Sequence, residues 1–290
     1  YQACNGEKVT VSGARRLHCT WEPYKDGILR CQVPEAQSGA LDFTQLFANG
    51  TRQIRARYPN RNDAKPDKRA GYINPAKALA DADVAPMPDR DADMTYDGEP
   101  RKGIVFNPET FTGKRWARPD EAVIHIFQAY YWGNLQWHIK HIDWDTHQIW
   151  FGEGGHQMGA KWATTPAEIG ESSRFYIENV FEELDAPTEW YLDTHEGVLY
   201  WMPQEGVNPA TAVIEVPVLK QLVRYVGTRL QSVEYVEFNS IHFTGTTTTF
   251  FERYEIPSLG DWALHRGGAL LMEGTRHCAI RDCLCAGLGG

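Results

Sequence analysis

The sequence predicts an all-β protein: a right-handed parallel β-helix interrupted by an inserted antiparallel β-sandwich-like domain. Near the C-terminal end, residues 233–245 align with residues 275–287 at an offset of 42. The region before this repeat is dominated by strand alternation and hairpin signals. The aromatic share of 12% agrees with both, because large flat side chains pack well on pleated sheets.

The repeat superimposes apolar residues. The matched pairs are Val236 with Cys278, Phe238 with Ile280, Ile241 with Cys283, Phe243 with Cys285, and Gly245 with Gly287. Within each copy the apolar positions advance by two residues, then three, then two. A step of two is strand alternation, and the step of three predicts a tight bend at Asn239-Ser240 and at Arg281-Asp282. Stacked short strands of this kind are typical of a parallel β-solenoid.

A further strand precedes each copy, at residues 216–223 and at residues 268–273, so that each coil has three strands. The late cysteines, Cys278, Cys283 and Cys285, are then expected to point into the interior of the coils and to pack there mainly as small apolar side chains. A disulfide or a reactive thiol is the alternative for them. A longer excursion, residues 246–267, separates the two copies and is a natural place for a binding surface.

The inserted region carries two clear hairpins. Asn49-Gly50 lies between two alternating segments, and residues 194–197 separate Glu189–Asp193 from residues 198–202. Residues 174–184 predict a strand that runs into a short helix, and residues 60–100 predict a long surface loop. The predicted domains are residues 1–20 for the first β-helix strands, 21–210 for the insertion and 211–290 for the later coils.

Charge and composition exclude several functions. The net charge is −9 without a basic run, which argues against a nucleic-acid partner. No segment has the length of a membrane span. The six cysteines form no CxxC pair, so a zinc site is not expected, and neither a metal nor an organic cofactor is predicted.

Three segments resemble a known family. Residues 45–60, residues 174–187 with Glu189–Asp193, and residues 260–268 are similar to bacterial β-helix carbohydrate-active proteins of the glycoside hydrolase family 141 type, which includes fucosidases and xylanases. The resemblance implies a secreted, extracellular or periplasmic, protein that acts on or binds plant or algal polysaccharide. It also implies that the two carboxyl groups needed for glycoside hydrolysis lie on later coils. Both chain ends read as interrupted strands, so this carboxyl pair is expected beyond Gly290.

Candidate substrate-binding residues fall in two places. The loop Asp261, Trp262, His265 and Arg266 combines an aromatic face for stacking with polar groups for sugar hydroxyls. The alternative is that Trp262 plugs a junction while Asp261 and Arg266 pair locally. Trp132 and His138 form the second candidate.

Two other functions fit the same fold. One is a non-catalytic β-helix surface, adhesin or filament protein in which the solenoid serves as a stiff rod. The other is a polysaccharide lyase, which would need a calcium ion or a basic residue poised at a uronic acid. The acidic balance of the sequence weighs against the lyase.

Overall fold

The computed structural model describes residues 1–4, 6–61, 70–79, 103–128, 131, 133–155, 169–252 and 264–289. Within them the fold is all-β, with several sheets in which antiparallel pairs predominate. The helices are short: α1 (Pro34–Gln37) and 3-10 turns at Pro108–Phe111, Pro119–Glu121 and Phe181–Glu183. No helix in this part of the chain is long and apolar enough to cross a membrane.

The described strands follow one another along the whole chain. Their bounds are β1 Val9–Ser12, β2 Ala14–Leu17, β3 Glu22–Lys25, β4 Ile28–Gln32, β5 Phe47–Ala48, β6 Thr51–Arg52, β7 Ile54–Arg55, β8 Arg57–Tyr58, β9 Lys77–Ala78, β10 Gly103–Val105, β11 Val123–Phe127, β12 Asn134–Asp143, β13 Gln148–Gly154, β14 Arg174–Glu178, β15 Glu189–Asp193, β16 Val198–Trp201, β17 Ile214–Pro217, β18 Val223–Val226, β19 Val233–Glu234, β20 Glu237–Asn239, β21 Ile241–Thr244, β22 Leu270–Glu273, β23 Thr275–Arg276, β24 Ala279–Arg281 and β25 Leu284–Cys285.

The chain divides into two compact units. The first consists of Tyr1–Ile54, Asp193–Thr249 and Gly267–Gly290, and the second of Arg55–Leu192 and Phe250–Arg266. The predicted domain bounds, 1–20, 21–210 and 211–290, stay predictions.

Parallel ladders in the first unit follow the predicted repeat. β19 pairs with β23, β20 with β24 and β21 with β25. Phe238 lies opposite Ile280 and Phe243 opposite Cys285, as the sequence predicts. β18 pairs with β22, and β1 pairs with the other edge of β21, also in parallel.

The bends of the two repeat copies share one backbone conformation. Ser240 and Asp282 both have positive φ angles, 58° and 50°, at the predicted two-residue turns. Tyr235 and His277, also 42 residues apart, repeat this conformation at 58° and 52°. Their rings stack at 5.0 Å. A conformation that L-residues rarely adopt therefore recurs at the period read from the sequence.

A small apolar core lies under these ladders. It consists of Phe238, Ile241 and Phe243, and Cys283 packs against it as predicted. Cys285 is exposed instead. The apolar alternation predicts which residues of the two repeat copies lie opposite each other, but it does not predict how much of each cysteine side chain is exposed to solvent.

Antiparallel sheets complete the first unit. β4 lies between β3 and β16, and β17 lies between β2 and β5, which continues into β6. β5 and β6 form the hairpin predicted at Asn49-Gly50, whose φ angles are 50° and 75°. Two consecutive positive φ angles are those of a type I′ turn, which matches the twist of the flanking strands.

Replacing Gly50 with alanine should lower the free energy of unfolding by about 1 kcal/mol, because the left-handed conformation is strained for a side chain. Apart from Gly50 and its two chain neighbours, no atom of the described residues lies within 4 Å of the position that a Cβ would take, so the effect is one of backbone conformation. Chemical denaturation measures it. An unchanged midpoint would contradict the turn assignment.

The second unit is built on a seven-stranded sheet of order β8-β14-β11-β12-β13-β10-β9. All of its described pairings are antiparallel. One face carries a hydrophobic core cluster that includes Ile124, Trp137, Phe151 and Ile177. Residues 174–184 form a strand followed by a 3-10 turn, as predicted. Most of the loop predicted at residues 60–100 lies outside the described residues.

Candidate functional site

The face of the seven-stranded sheet opposite its core is unusually polar. In the central strand β11, Ile124 and Ile126 point into the core, so the alternating position His125 points to the other face. The antiparallel register places Gln136 on one side of His125 and Tyr176 on the other. We call this surface the polar sheet face; its members are Val123, His125, Phe127, Asn134, Gln136, His138, Arg174, Tyr176 and Glu178.

A charged cluster lies at one end of the polar sheet face. Nε2 of His125 lies 3.1 Å from Oε1 of Glu178, and Nη1 of Arg55 lies 3.9 Å from the same oxygen. Burial opposes ionisation of Glu178, but His125, Arg55 and Arg57 outweigh it and hold the pKa of Glu178 below its usual value. Glu178 is therefore an anion near neutral pH.

Aromatic rings and guanidinium groups alternate along the same face. The rings of His125 and Tyr176 stack at 4.5 Å, and the Arg57 guanidinium lies 3.6 Å from the Tyr176 ring centre. The guanidinium of Arg174 lies 3.8 Å from the Tyr131 ring. Burial raises the pKa of Tyr176, so its phenol stays neutral and able to donate a hydrogen bond.

Gln136 supplies an acceptor on this face. Its side chain is 8% exposed, and its amide donates to the side-chain oxygen of Asn134. Among the described residues its own oxygen, Oε1, has no hydrogen-bond partner. A buried acceptor without a partner is costly, which is a reason to expect that a ligand or water completes it.

Phe250 and Phe251 pack on the polar sheet face. Phe250 meets the His125 ring at 5.4 Å, edge to face, and Phe251 stacks on His138 at 4.3 Å. In the next residue, Glu252, the carboxylate oxygen Oε2 lies 2.7 Å from Nε2 of His265. Glu252 and His265 therefore form a second carboxylate–histidine pair in the same unit.

The predicted site residues have different outcomes. His138 lies on the polar sheet face, where Phe251 stacks on its ring. His265 is paired with the carboxylate of Glu252, the residue after Phe251. Arg266 is exposed. The predicted residues Asp261, Trp262 and Trp132 lie outside the described residues, so their role as substrate-binding residues stays a prediction.

Sequence reasoning missed His125, Tyr176 and Glu178. The signal was present: polar residues alternate with apolar ones in His125 between Ile124 and Ile126, and in Tyr176 between Phe175 and Ile177. If the residues between the core-facing positions were also apolar, the strand would be expected to be covered on both faces of the sheet. Polar residues at those positions indicate instead that one face is polar.

Another carboxyl group has a pKa suited to acid catalysis but not the position. Burial raises the pKa of Glu189 to about 7, although the backbone N–H groups of Asp185 and Ala186 donate to its Oε2 at 3.1 Å. The residue is 1% exposed, so a substrate cannot reach it. The raised pKa of Glu189 therefore affects the pH dependence of the protein's stability and not catalysis. Within the described ranges, no three or more His, Cys, Asp and Glu side chains are grouped to hold a metal ion.

The second unit is therefore an antiparallel β domain whose sheet has one apolar core face and one face that carries aromatic and hydrogen-bonding side chains. A family model described as "GH141 insertion domain" matches residues 57–204, just over half of the chain. The chain belongs to this family. No curated protein matches the sequence.

A solved structure named "Glycoside hydrolase" is similar to the chain, with a TM-score of 0.62 and 22% sequence identity. The match covers 88% of this chain and 39% of the other. This likeness shows a shared fold, and the chain spans about two fifths of the length of that protein.

Proposed function

We propose that the chain is part of a secreted glycoside hydrolase that acts on plant or algal polysaccharide. The observation that carries the proposal is the match of the GH141 insertion domain model to residues 57–204. The similar structure named "Glycoside hydrolase" supports it. An extracellular or periplasmic location agrees with this function, because polysaccharides of plant or algal cell walls lie outside the bacterial cytoplasm.

In this proposal the parallel ladders are coils of a right-handed parallel β-helix. Three ladders share the 42-residue offset: Val233 pairs with Thr275, Glu237 with Ala279 and His242 with Leu284. The repeated positive φ angles support the same interpretation. The antiparallel strands that intervene in the sequence would then be the insertion.

The polar sheet face would bind sugar. A pyranose ring presents apolar C–H faces and polar hydroxyls, which suit aromatic rings and hydrogen-bonding side chains respectively. The face offers the ring of His138, on which Phe251 stacks from one side. It also offers the hydroxyl of Tyr176, whose ring lies against His125 and Arg57, together with the side-chain oxygen of Gln136 and the carboxylate of Glu178. Glu178 and Glu252 are both paired with histidine, so we assign them to binding and positioning and not to bond cleavage.

Release of reducing sugar from xylan and from fucose-containing algal polysaccharide tests the function on the full-length protein. We expect hydrolysis of at least one of these substrates, with saturable binding. Well-folded protein that neither binds nor hydrolyses any of them would contradict the proposal. A repetitive assembly in electron micrographs, without activity, would favour the non-catalytic β-helix protein instead.

Replacing His138 with alanine should weaken binding of the best oligosaccharide about tenfold, which is the effect of one lost stacking or hydrogen-bonding partner. Isothermal titration calorimetry measures this change. His277→Ala is the matched control, because His277 also stacks on an aromatic ring, Tyr235, but lies in the parallel ladders. An equal loss in both variants would contradict a specific role of the polar sheet face.

A further inference from the structure

Two cysteines meet beside the first hairpin of the first unit. Cys31 lies in β4 opposite Leu199 of β16 and is 4% exposed. Cys19 lies just before β3, the other neighbour of β4, and its thiol interacts with the Cys31 thiol. The Cys31 thiol also donates to the backbone oxygen of Gln32 at 3.4 Å. Neither cysteine is part of the polar sheet face.

A cavity of about 180 Å³ opens on Cys31 and on the two residues that flank Cys19. Its lining comes from both chain segments: His18 and Thr20, which flank Cys19, and Cys31 with its neighbours Arg30 and Gln32, together with Glu22. The two segments therefore lie against each other along several residues. The cavity also gives a small molecule access to the otherwise buried sulfur of Cys31.

The contact makes the two thiols unequal. The interaction with Cys19 lowers the pKa of Cys31, and the same interaction, together with burial, raises the pKa of Cys19. The thiolate is the nucleophile in thiol–disulfide exchange, so Cys31 would react first. Cys19 is then in contact with the sulfur that it must attack.

We propose that Cys19 and Cys31 are a redox-active pair that closes into a reversible disulfide by exchange with a small disulfide such as oxidised glutathione. The Cys31 thiolate attacks the small disulfide, forms a mixed disulfide and releases one thiolate, which takes up a proton. Cys19 loses its proton and attacks the Cys31 sulfur, and the second small thiol leaves. Two protein thiols are oxidised and one small disulfide is reduced to two thiols.

Differential alkylation and peptide mass mapping in glutathione redox buffers test the proposal on the whole chain. We expect a Cys19–Cys31 linkage that appears as the fraction of oxidised glutathione rises, while Cys4 and Cys285, both exposed, remain alkylated or carry glutathione. The oxidised protein should melt about 5 °C higher than the reduced protein, because the cross-link restricts the unfolded chain.

Cys19→Ser should abolish both the linkage and the melting shift, and Cys4→Ser is the matched control that keeps both. If a serine variant does not fold, peptide mapping of the wild-type chain decides alone. A native fold in which Cys19 and Cys31 stay alkylatable at every redox ratio would overturn the proposal. A linkage of either one to a different cysteine would also overturn it.

Discussion

Replacing Glu183 with alanine should lower the free energy of unfolding by about 3 kcal/mol, because it leaves the buried indole N–H of Trp116 without an acceptor and the partly buried ammonium of Lys114 without its counter-charge. Glu183 is 2% exposed. Its two oxygens accept from Nζ of Lys114 at 2.6 Å and from Nε1 of Trp116 at 2.7 Å. Trp116 itself is 5% exposed and packs in the core cluster of the seven-stranded sheet.

Chemical denaturation of the variant measures this change. Glu182→Ala is the matched control: Glu182 is the preceding residue, is exposed and accepts one backbone N–H from Ala117 at 2.8 Å. The control should cost less than about 1 kcal/mol. Equal costs at the two positions would contradict the account of Glu183 as the anchor of Trp116.

Replacing Glu189 with glutamine should stabilise the protein relative to the wild type by about 3 kcal/mol more at pH 8 than at pH 4. Burial raises the pKa of Glu189 to about 7 in the folded protein, against an ordinary value of 4.5. Between these two values the unfolded chain is ionised while the folded chain holds a proton. Wild-type stability therefore falls by about 1.4 kcal/mol per pH unit in this range and levels off above it. Glutamine has no proton to lose.

The measurement is the difference in unfolding free energy between wild type and Glu189→Gln at several pH values from 4 to 8. The difference should change in favour of the variant between pH 4.5 and 7 and then stay constant. Glu182→Gln, at an exposed position, should show no such trend. A difference for Glu189→Gln that is independent of pH would refute the raised pKa.

Local signals predicted the parts of the fold that depend on adjacent residues. Asn49-Gly50 favours a type I′ turn wherever it occurs between strands, and the hairpin is present. The 42-residue repeat predicted that Phe238 lies opposite Ile280, since equal spacing of apolar residues stacks like with like. Each of these signals is contained within a few residues or within one repeat.

The polar sheet face could not be predicted in the same way. Its residues come from β11, β12 and β14, and β14 is separated from β12 along the chain by β13 and residues 155–173. Alternation indicates which residues of one strand share a face, but not which distant strand lies beside it. His138 was found because it stands among aromatic residues, whereas Glu178 became a candidate only when the register placed it opposite Val123 and diagonal to His125.

We propose above all that the polar sheet face of this GH141 insertion domain binds carbohydrate. The most direct test is a crystal structure of the protein soaked with the oligosaccharide that binds it best in solution. We predict a sugar ring stacked within about 4 to 5 Å of an aromatic ring of the face, a distance typical of ring contacts. A hydroxyl should donate to Oε1 of Gln136. An ordered sugar bound elsewhere, with the polar sheet face occupied by water alone, would contradict the claim.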